Sequence, residues 1–246
     1  MPRSRKPHLR CPDCRMHRSL CICALLPRLE TRTRVVLLLH QLEVGKPTNT
    51  GVVAARCLAN SAIVHRGRAP DARDAVFEDD LDAQVARIAA AIAPGTRAAF
   101  LFPHETAQPL EAWRDADDAP TTLVVPDGTW RQASRARSRL ADALGLPCVA
   151  LSIAGRVGTR LRTAQIPERL ATLEALAHAL GVLEGAAEGA TIEDALIHVF
   201  RVMTDRTLWS NGRLPREAVT GGVPEGARSH DPLAAAPSRP RTHEAP

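Results

Sequence analysis

The sequence is poor in aromatic residues: it has no tyrosine, three tryptophans and four phenylalanines among 246 residues. Proteins that bind long single strands of nucleic acid stack successive bases on aromatic side chains, so this class of binding surface is not expected. No apolar run approaches the roughly 18 to 20 residues of a membrane-spanning helix. The basic amino terminus is followed by no apolar stretch, so we expect no secretory signal, no membrane association and a cytoplasmic location.

Lysine is also scarce, since only Lys6 and Lys46 occur, and the net charge of +5 comes mainly from arginine. The charge is unevenly placed. Residues 1–40 carry nine basic and two acidic groups, residues 71–118 carry eleven acids and four arginines, and residues 131–162 carry seven arginines and one acid. Two basic segments separated by an acidic one indicate a polyanionic partner such as nucleic acid. The alternative interpretation is a solvated surface in a protein from an arginine-rich proteome.

Cysteine is concentrated near the amino terminus, where four of the six cysteines lie within thirteen positions. In a reducing compartment such a cluster indicates a metal site, because four thiolates supply the tetrahedral shell of Zn²⁺. We predict a structural zinc ion held by Cys11, Cys14, Cys21 and Cys23. His17 lies between the two pairs and is either an alternative ligand or a solvent-exposed side chain. The other two cysteines, Cys57 and Cys148, lie in apolar patterns and are predicted to be buried.

Apolar runs and amphipathic patterns alternate along the rest of the chain. Strands are predicted at 34–40, 98–102, 123–125 and 148–153, and helices at 52–58, 81–92, 133–144, from 170 onward and at 192–203. This alternation predicts an α/β domain with a mainly parallel sheet. We assign residues 1–30 to a basic cysteine segment and residues 31–218 to the α/β domain. Residues 219–246, rich in Pro, Gly, Ala and Ser, are predicted to be a disordered tail.

A single acid stands where the predicted strand Leu123–Val125 ends. Pro126 and Gly128 close the strand, and Asp127 between them lies at its carboxyl end, the edge at which open α/β sheets bind ligands. A structural interpretation fits the same stretch. Thr129 and Gln132 have the spacing of a helix capping box, Asp127 can satisfy the turn, and Trp130 can be a core residue.

Two further helix starts carry polar residues. A polar segment after His40 leads into the helix at 52–58, with Asn49 or Thr50 as its N-cap, and the same amides and helix dipole make an anion site. Thr172 is the predicted N-cap of a later helix, with Glu174 in its first turn, where a carboxylate is favourable.

Taken together, these segments resemble the DTW-domain family. The matching pieces lie between residues 11 and about 205, in the order of the family: the cysteine cluster, the His40–Thr50 segment with Thr48-Asn49-Thr50-Gly51, the Phe102-Pro103 strand end, Asp127-Gly128-Thr129-Trp130, and Arg162 followed by Leu170–Ala175. Two positions depart from the family pattern. Ala171 occupies a position where Ser is more frequent, and Thr159 or Arg160 lies near one where Tyr is common. Both departures concern ligand contacts.

The resemblance implies a SPOUT-like α/β domain with a trefoil knot and a tRNA-uridine aminocarboxypropyltransferase. In that reaction the 3-amino-3-carboxypropyl group of S-adenosylmethionine moves to N3 of a uridine in tRNA and 5′-methylthioadenosine is released. The implied general base is Asp127, which is alternatively an orienting group. The implied donor-binding residues are Phe102, Pro103, Thr129, Arg162, Thr172 and Glu174, and those for the tRNA are His40, Asn49, Thr50, Trp130 and Arg131. Trp130 either stacks on a base or belongs to the core.

The remaining expectations concern partners and alternatives. The basic amino-terminal segment and its zinc site are expected to grip tRNA, and the protein is expected to be a monomer without a stable protein partner. One alternative is a SPOUT-type methyltransferase or a transferase that acts on ribosomal RNA. Another, of a different class, is a non-catalytic zinc-dependent RNA-binding module.

Overall fold

A parallel sheet forms the centre of the protein in the computed structural model, which describes residues 7–67, 80–152 and 170–227. All of its strand pairings within these residues are parallel. The strand order across the sheet is β2-β1-β5-β3-β6-β4. The strands are β1 (Arg34–His40), β2 (Ser61–Arg66), β3 (Arg97–Leu101), β4 (Gln108–Pro109), β5 (Thr121–Asp127) and β6 (Cys148–Ala150). The predicted α/β class with a mainly parallel sheet is confirmed.

Helices cover both faces of the sheet, as the continuous apolar runs of β1 and β5 require. One face carries α1 (Thr50–Cys57), α3 (Leu110–Asp115), α6 (Thr172–Leu183) and α7 (Ala186–Ser210), which share a core with the odd-numbered residues of β1. The other carries α2 (Leu81–Ala91) and α4 (Trp130–Ala136), which pack on Val36 and Leu38. A π-helical turn (Arg137–Ala141) and the short α5 (Asp142–Leu144) continue α4.

Strand register gathers the polar ends of three strands at one edge. Leu39 of β1 is paired with Asp127 of β5, and His40 of β1 is paired with Arg66 of β2. All three strands run in the same direction, so their carboxyl ends, and the loops that follow them, meet at this edge.

The observed elements differ from the predicted ones at several bounds. The strand Arg34–His40 is confirmed, and β5 extends beyond Val125 through Pro126 and Asp127. Sequence patterns missed β2, which lies at the edge of the sheet and is largely half-exposed, so its apolar signal is weak. They also missed β4 and α3, which are too short for a periodic pattern, and they placed the last helix at 192–203 where α7 runs from Ala186 to Ser210.

Both ends of the described chain pack on α7 and its neighbours. Side chains of the cysteine segment, including Cys14, Leu20 and Ile22, belong to the same core as α1, α6 and α7. Residues 219–227, which belong to the predicted tail, contribute the buried Val219 and Ala227, and the rest of that tail lies outside the described residues. Within 7–67, 80–152 and 170–227, none of the helices combines the length and apolar content needed to cross a membrane.

Candidate functional site

Asp127 lies at the centre of a hydrogen-bond network at the carboxyl edge of the sheet. Its side chain is only 4% exposed. The amide Nδ2 of Asn49 donates to Oδ2 at 2.6 Å, and the hydroxyl of Thr172 donates to Oδ1 at 2.6 Å. Both carboxylate oxygens therefore have a protein donor, and each keeps a second lone pair for another partner.

The two donors are themselves fixed by helix starts. Asn49 is the N-cap of α1, and its Oδ1 accepts from the backbone N–H of Val52 at 2.9 Å. This bond sets the orientation of the amide, so that Nδ2 faces Asp127. Thr50 joins the two helices, because its hydroxyl accepts from the backbone N–H of Leu173 at 3.4 Å. Three segments that are far apart in sequence thus form one site.

The predicted N-cap of α6 is wrong by one residue. Ala171 is the N-cap and Thr172 is the first helical residue. The physical reason is that the Thr172 hydroxyl donates to Asp127 and so does not cap its own helix. Glu174, which is buried, accepts from the backbone N–H of Ala171 at 2.9 Å and does part of the capping. Burial raises the pKa of the Glu174 carboxyl above its ordinary value, although this N–H bond acts in the opposite direction.

Burial raises the pKa of the Asp127 carboxyl above its ordinary value. Hydrogen bonds from Thr172 and Asn49 and the charge of Arg66 act in the opposite direction, and the charge of Glu43 adds to the rise. The buried Glu43 was not identified from the sequence. Its Oε1 lies 2.6 Å from Nζ of Lys46. The only sequence signal was the placement of both residues in the polar loop after β1.

An aromatic pair borders the site. Phe102, buried just after β3, packs against Trp130 with ring centroids 5.0 Å apart, and Trp130 is 41% exposed. Thr129 and Gln132 form the predicted capping box at the start of α4. The capping box predicted by the structural interpretation is therefore confirmed, whereas the prediction of Trp130 as a core residue is wrong, because its side chain packs on Phe102 at the surface. Pro103 and Arg131 are exposed.

His40, the last residue of β1, connects the end of this strand to the start of α4. Its Nδ1 accepts from the backbone N–H of Leu42 at 3.1 Å and lies 3.3 Å from Nε2 of Gln132. Arg66 donates to the backbone carbonyl of Gln132 at 3.0 Å. These contacts hold the start of α4, and with it Trp130, against the strand ends. Arg162, the predicted partner of the donor carboxylate, lies outside the described residues.

Gly51 has no side chain, and the carboxylate of Asp127 lies close to where a Cβ at this position would be. A Cβ at this position would lie 2.7 Å from Oδ1 of Asp127 and 3.2 Å from Cδ1 of Leu37. Replacing a helical glycine by alanine normally stabilises a protein by up to about 1 kcal/mol. We expect Gly51→Ala instead to destabilise by about 1 to 3 kcal/mol, because the carboxylate is held from both sides and overpacking displaces it. Chemical denaturation measures the difference.

A second substitution calibrates this prediction. Ala86 is exposed in the interior of α2, so Ala86→Gly reports helix propensity alone. If Gly51→Ala raises the free energy of unfolding by as much as Ala86→Gly lowers it, the packing of Asp127 against α1 is not tight.

The four predicted zinc ligands form a compact group. Sγ of Cys11 lies 3.6 Å from Sγ of both Cys21 and Cys23, and Sγ of Cys14 lies 3.8 Å from that of Cys21. All four sulfur atoms lie within 4.8 Å of one another. Four thiolates bound to Zn²⁺ at about 2.3 Å define a tetrahedron with edges of about 3.8 Å. The donor set and its spacing fit zinc.

The backbone of the segment also suits thiolate ligands. Arg15 adopts φ of 62°, which turns the chain so that the N–H of Cys11 donates to the carbonyl of Met16 at 2.8 Å. Burial raises the pKa of the Cys11 thiol, but hydrogen bonds from the backbone of Cys14 and Asp13, and those with Cys21 and Cys23, bring it down to about 7. A lowered pKa favours the thiolate form that binds metal. Burial raises the pKa of the Cys14 and Cys23 thiols, so their thiolate forms depend on the charge of a bound cation.

The remaining candidates near the cysteine group have other roles. His17 is the N-cap of a short 3-10 turn, and its Nδ1 accepts from the backbone N–H of Ser19 at 3.2 Å. Cys57 is buried as predicted, and burial raises the pKa of its thiol to about 12. Cys148 is half-buried in β6.

Comparison with known proteins assigns the chain to a family. The model of the DTW domain matches residues 8–208, a span that includes both the cysteine group and the Asp127 network. This chain belongs to the DTW domain family. The three residues that give the domain its name all lie in this site. Asp127 supplies the buried carboxylate, Thr129 is the N-cap of α4, and Trp130 is the exposed aromatic side chain.

Curated relatives of this DTW protein are enzymes of tRNA modification by name. A tRNA-uridine aminocarboxypropyltransferase 2 from Macaca fascicularis is 29% identical over 136 residues, which cover 54% of this chain and 41% of the macaque protein. The protein of the same name from Drosophila melanogaster is 28% identical over 183 residues, covering 73% of this chain and 68% of the fly protein. The match thus spans less than half the length of the macaque relative. No solved structure gives a significant match.

Proposed function

We propose that this DTW protein transfers the 3-amino-3-carboxypropyl group of S-adenosylmethionine to N3 of a uridine in tRNA and releases 5′-methylthioadenosine. Family membership and the names of the curated relatives support this proposal. The observation that carries it is the buried carboxylate of Asp127, to which both Asn49 and Thr172 donate a hydrogen bond. These three residues belong to three separate family segments. A protein that used these residues only for folding would not need a carboxylate there, because burying a charge is costly.

Asp127 is the proposed general base. Uridine N3 attacks the Cγ of the methionine chain, the bond between Cγ and sulfur breaks, and the N3 proton leaves to a carboxylate oxygen. Proximity to a helix N-terminus alone would keep the pKa of such a carboxyl low and make it a weak base. Burial outweighs this effect and raises the pKa of Asp127, which makes the carboxylate a stronger base. Asn49 and Thr172 hold its two oxygens in place.

The donor is proposed to lie against the start of α6. Thr172 and Glu174 of this helix, Thr129 of α4, and Phe102 and Pro103 after β3 lie on elements next to the carboxyl edge of the sheet. A buried Glu174 can accept a hydrogen bond from a ligand amine, and Arg162 is assigned to the donor carboxylate. Binding in this orientation presents Cγ of the methionine chain, and not the methyl group, to the nucleophile.

The acceptor is proposed to approach over α4. Trp130, three residues after Asp127 at the start of α4, is exposed and offers a face for stacking a base. Exposed Arg131 and Arg135 lie four residues apart on the same helix, and exposed Arg139 continues the row in the π-helical turn. Arginines in such a row contact successive phosphates of an RNA backbone. The amino-terminal cysteine segment, with its structural zinc ion, is proposed as a second tRNA contact.

Several finer features are part of the same proposal. The family resemblance implies a SPOUT-like arrangement with a trefoil knot. We also propose that the protein is a monomer and that it is cytoplasmic. His40, Asn49 and Thr50 are assigned to the acceptor side of the site: His40 ends β1, Asn49 is the N-cap of α1 and Thr50 is its first residue.

A pair of labelled donors tests the reaction. Purified protein is incubated with unmodified tRNA, and in parallel with ribosomal RNA, in the presence of S-adenosylmethionine labelled either in the carboxyl carbon or in the methyl group. Binding of both RNAs is measured on the same preparation. We expect the carboxyl label to enter tRNA, and the methyl label to stay in 5′-methylthioadenosine. Nucleoside mass spectrometry then locates the added group on uridine.

Other outcomes of this experiment identify the alternatives. Methyl label in tRNA would mean a methyltransferase. Carboxyl label in ribosomal RNA, with none in tRNA, would move the acceptor to the ribosome. No transfer to any RNA, together with retained RNA binding, would indicate a non-catalytic RNA-binding module and contradict the proposal.

A further inference from the structure

Arg206 of α7 is a buried cation that the proposed reaction does not use. Its side chain is 4% exposed, and every hydrogen bond that it makes within the described residues goes to a backbone carbonyl. Nη1 donates to the carbonyl of Cys21 at 2.8 Å and reaches that of Leu20 at 3.5 Å. Nε donates to Gly222 at 3.1 Å, and Nη2 to Gly221 at 3.3 Å.

The charge of Arg206 has no carboxylate partner in the part of the chain that the structure describes. Its neighbour Asp205 faces the backbone and side chain of Thr220, with Oδ2 3.0 Å from the Thr220 nitrogen. Carbonyl dipoles compensate a buried guanidinium only in part, and a buried cation is normally paired with an anion. The burial of Arg206 therefore calls for a source of negative charge nearby.

The cysteine group supplies such a charge when it holds a metal. Four thiolates around a divalent cation have a net charge of −2, and Cys21, whose carbonyl binds Arg206, is one of the four. We propose that Arg206 is a positioning and charge-compensating residue of this metal site. Its guanidinium stabilises the anionic thiolate shell and joins it to residues 219–227, which we call the C-terminal segment.

This arrangement makes metal binding and docking of the C-terminal segment interdependent. One side chain binds the carbonyl of a ligand residue on one side and the carbonyls of Gly221 and Gly222 on the other. If zinc binding favours docking of the segment by some factor, docking favours zinc binding by the same factor, because coupling between two binding events is reciprocal. The inference is independent of the transfer reaction and holds for any function of the protein.

Three variants of the full-length, zinc-loaded protein test the proposal by competition with a chromophoric zinc chelator. We expect Arg206→Gln to weaken zinc binding by about 10- to 100-fold, as loss of supporting residues around metal ligands does elsewhere. Arg206→Lys keeps the charge and is expected to recover most of the affinity. Asp205→Asn loosens the same C-terminal segment but leaves Arg206, which carries the link to the ligand residue, in place. Its zinc affinity is therefore expected to fall by no more than about threefold, much less than that of Arg206→Gln.

Amide hydrogen exchange on the wild-type protein is the second measurement, and it does not depend on any variant folding. We expect residues 219–227 to exchange faster after zinc is removed, and by a larger factor than α2 on the other face of the sheet. The proposal would be overturned by unchanged zinc affinity in Arg206→Gln, by equal losses of affinity in Arg206→Gln and Asp205→Asn, or by exchange of residues 219–227 that rises no more than that of α2.

Discussion

Asp127→Asn is expected to lower the single-turnover rate of uridine modification by about 100-fold or more, the contribution typical of a positioned general base. Asparagine keeps the size of the side chain but cannot take the N3 proton. Its amide oxygen can accept from Nδ2 of Asn49, which is fixed by its bond to Val52, if its NH₂ group faces the Thr172 hydroxyl, which then accepts a hydrogen bond where it donates one in the wild type. The rate is measured with saturating donor and unmodified tRNA, so that chemistry is separated from binding.

The control for this prediction is Asp142→Asn, which removes an exposed carboxylate at the end of the α4 region. We expect the control to modify tRNA at the wild-type rate. A wild-type rate in Asp127→Asn would show that Asp127 has a structural role only. A pH profile distinguishes base from orienting group: with a base at Asp127, the wild-type rate falls as pH drops through the raised pKa of this carboxyl.

The same variant is expected to alter how stability depends on pH. Burial raises the pKa of Asp127 in the folded protein, so the folded state binds a proton more tightly than the unfolded chain does. Wild type therefore gains stability relative to Asp127→Asn as pH falls through the folded pKa, and the gain is complete below the ordinary, unfolded value. Denaturation of both proteins over this pH range measures the difference.

Removal of the metal, by chelation or by Cys14→Ser, is expected to lower the melting temperature by about 10 °C. A ligand present at about 100 to 1,000 times its Kd stabilises the folded state by about 3 to 4 kcal/mol, and about 2 to 4 °C of melting temperature corresponds to each kcal/mol in a chain of this size. The effect is global and not confined to the segment, because Cys11 and Cys14 belong to the same core as α1, α6 and α7.

Cys57→Ser is the matched control, since Cys57 is as buried as Cys14 but lies outside the group of four. Zinc content is measured beside the melting temperature. We expect Cys57→Ser to lose stability and keep one zinc ion per chain, and Cys14→Ser to lose both. Full zinc content in Cys14→Ser, or a wild-type melting temperature unaffected by chelation, would contradict a structural metal site.

Local patterns predicted the parts of this protein that local physics controls. The apolar run Arg34–His40 can only be satisfied by burial on both faces of a sheet, and it is a central strand with the predicted bounds. The spacing of Thr129 and Gln132 is enough for a capping box, which the structure contains. Four cysteines within thirteen positions can bring their sulfur atoms together through short turns, and in the structure they form one group.

Contacts between distant segments were decided only by the tertiary structure. Thr172 has the local features of an N-cap, but Asp127 comes within 2.6 Å of its hydroxyl when α6 packs beside β5, and Ala171 becomes the N-cap instead. Glu43 and Gly51 have no local signal, because their importance lies in their closeness to the same carboxylate. Residue types and spacing thus determined the central strand Arg34–His40, the capping box and the cysteine group. The hydrogen-bond partners, burial and pKa of Asp127 depend on strand register and helix packing, which no short stretch of sequence encodes.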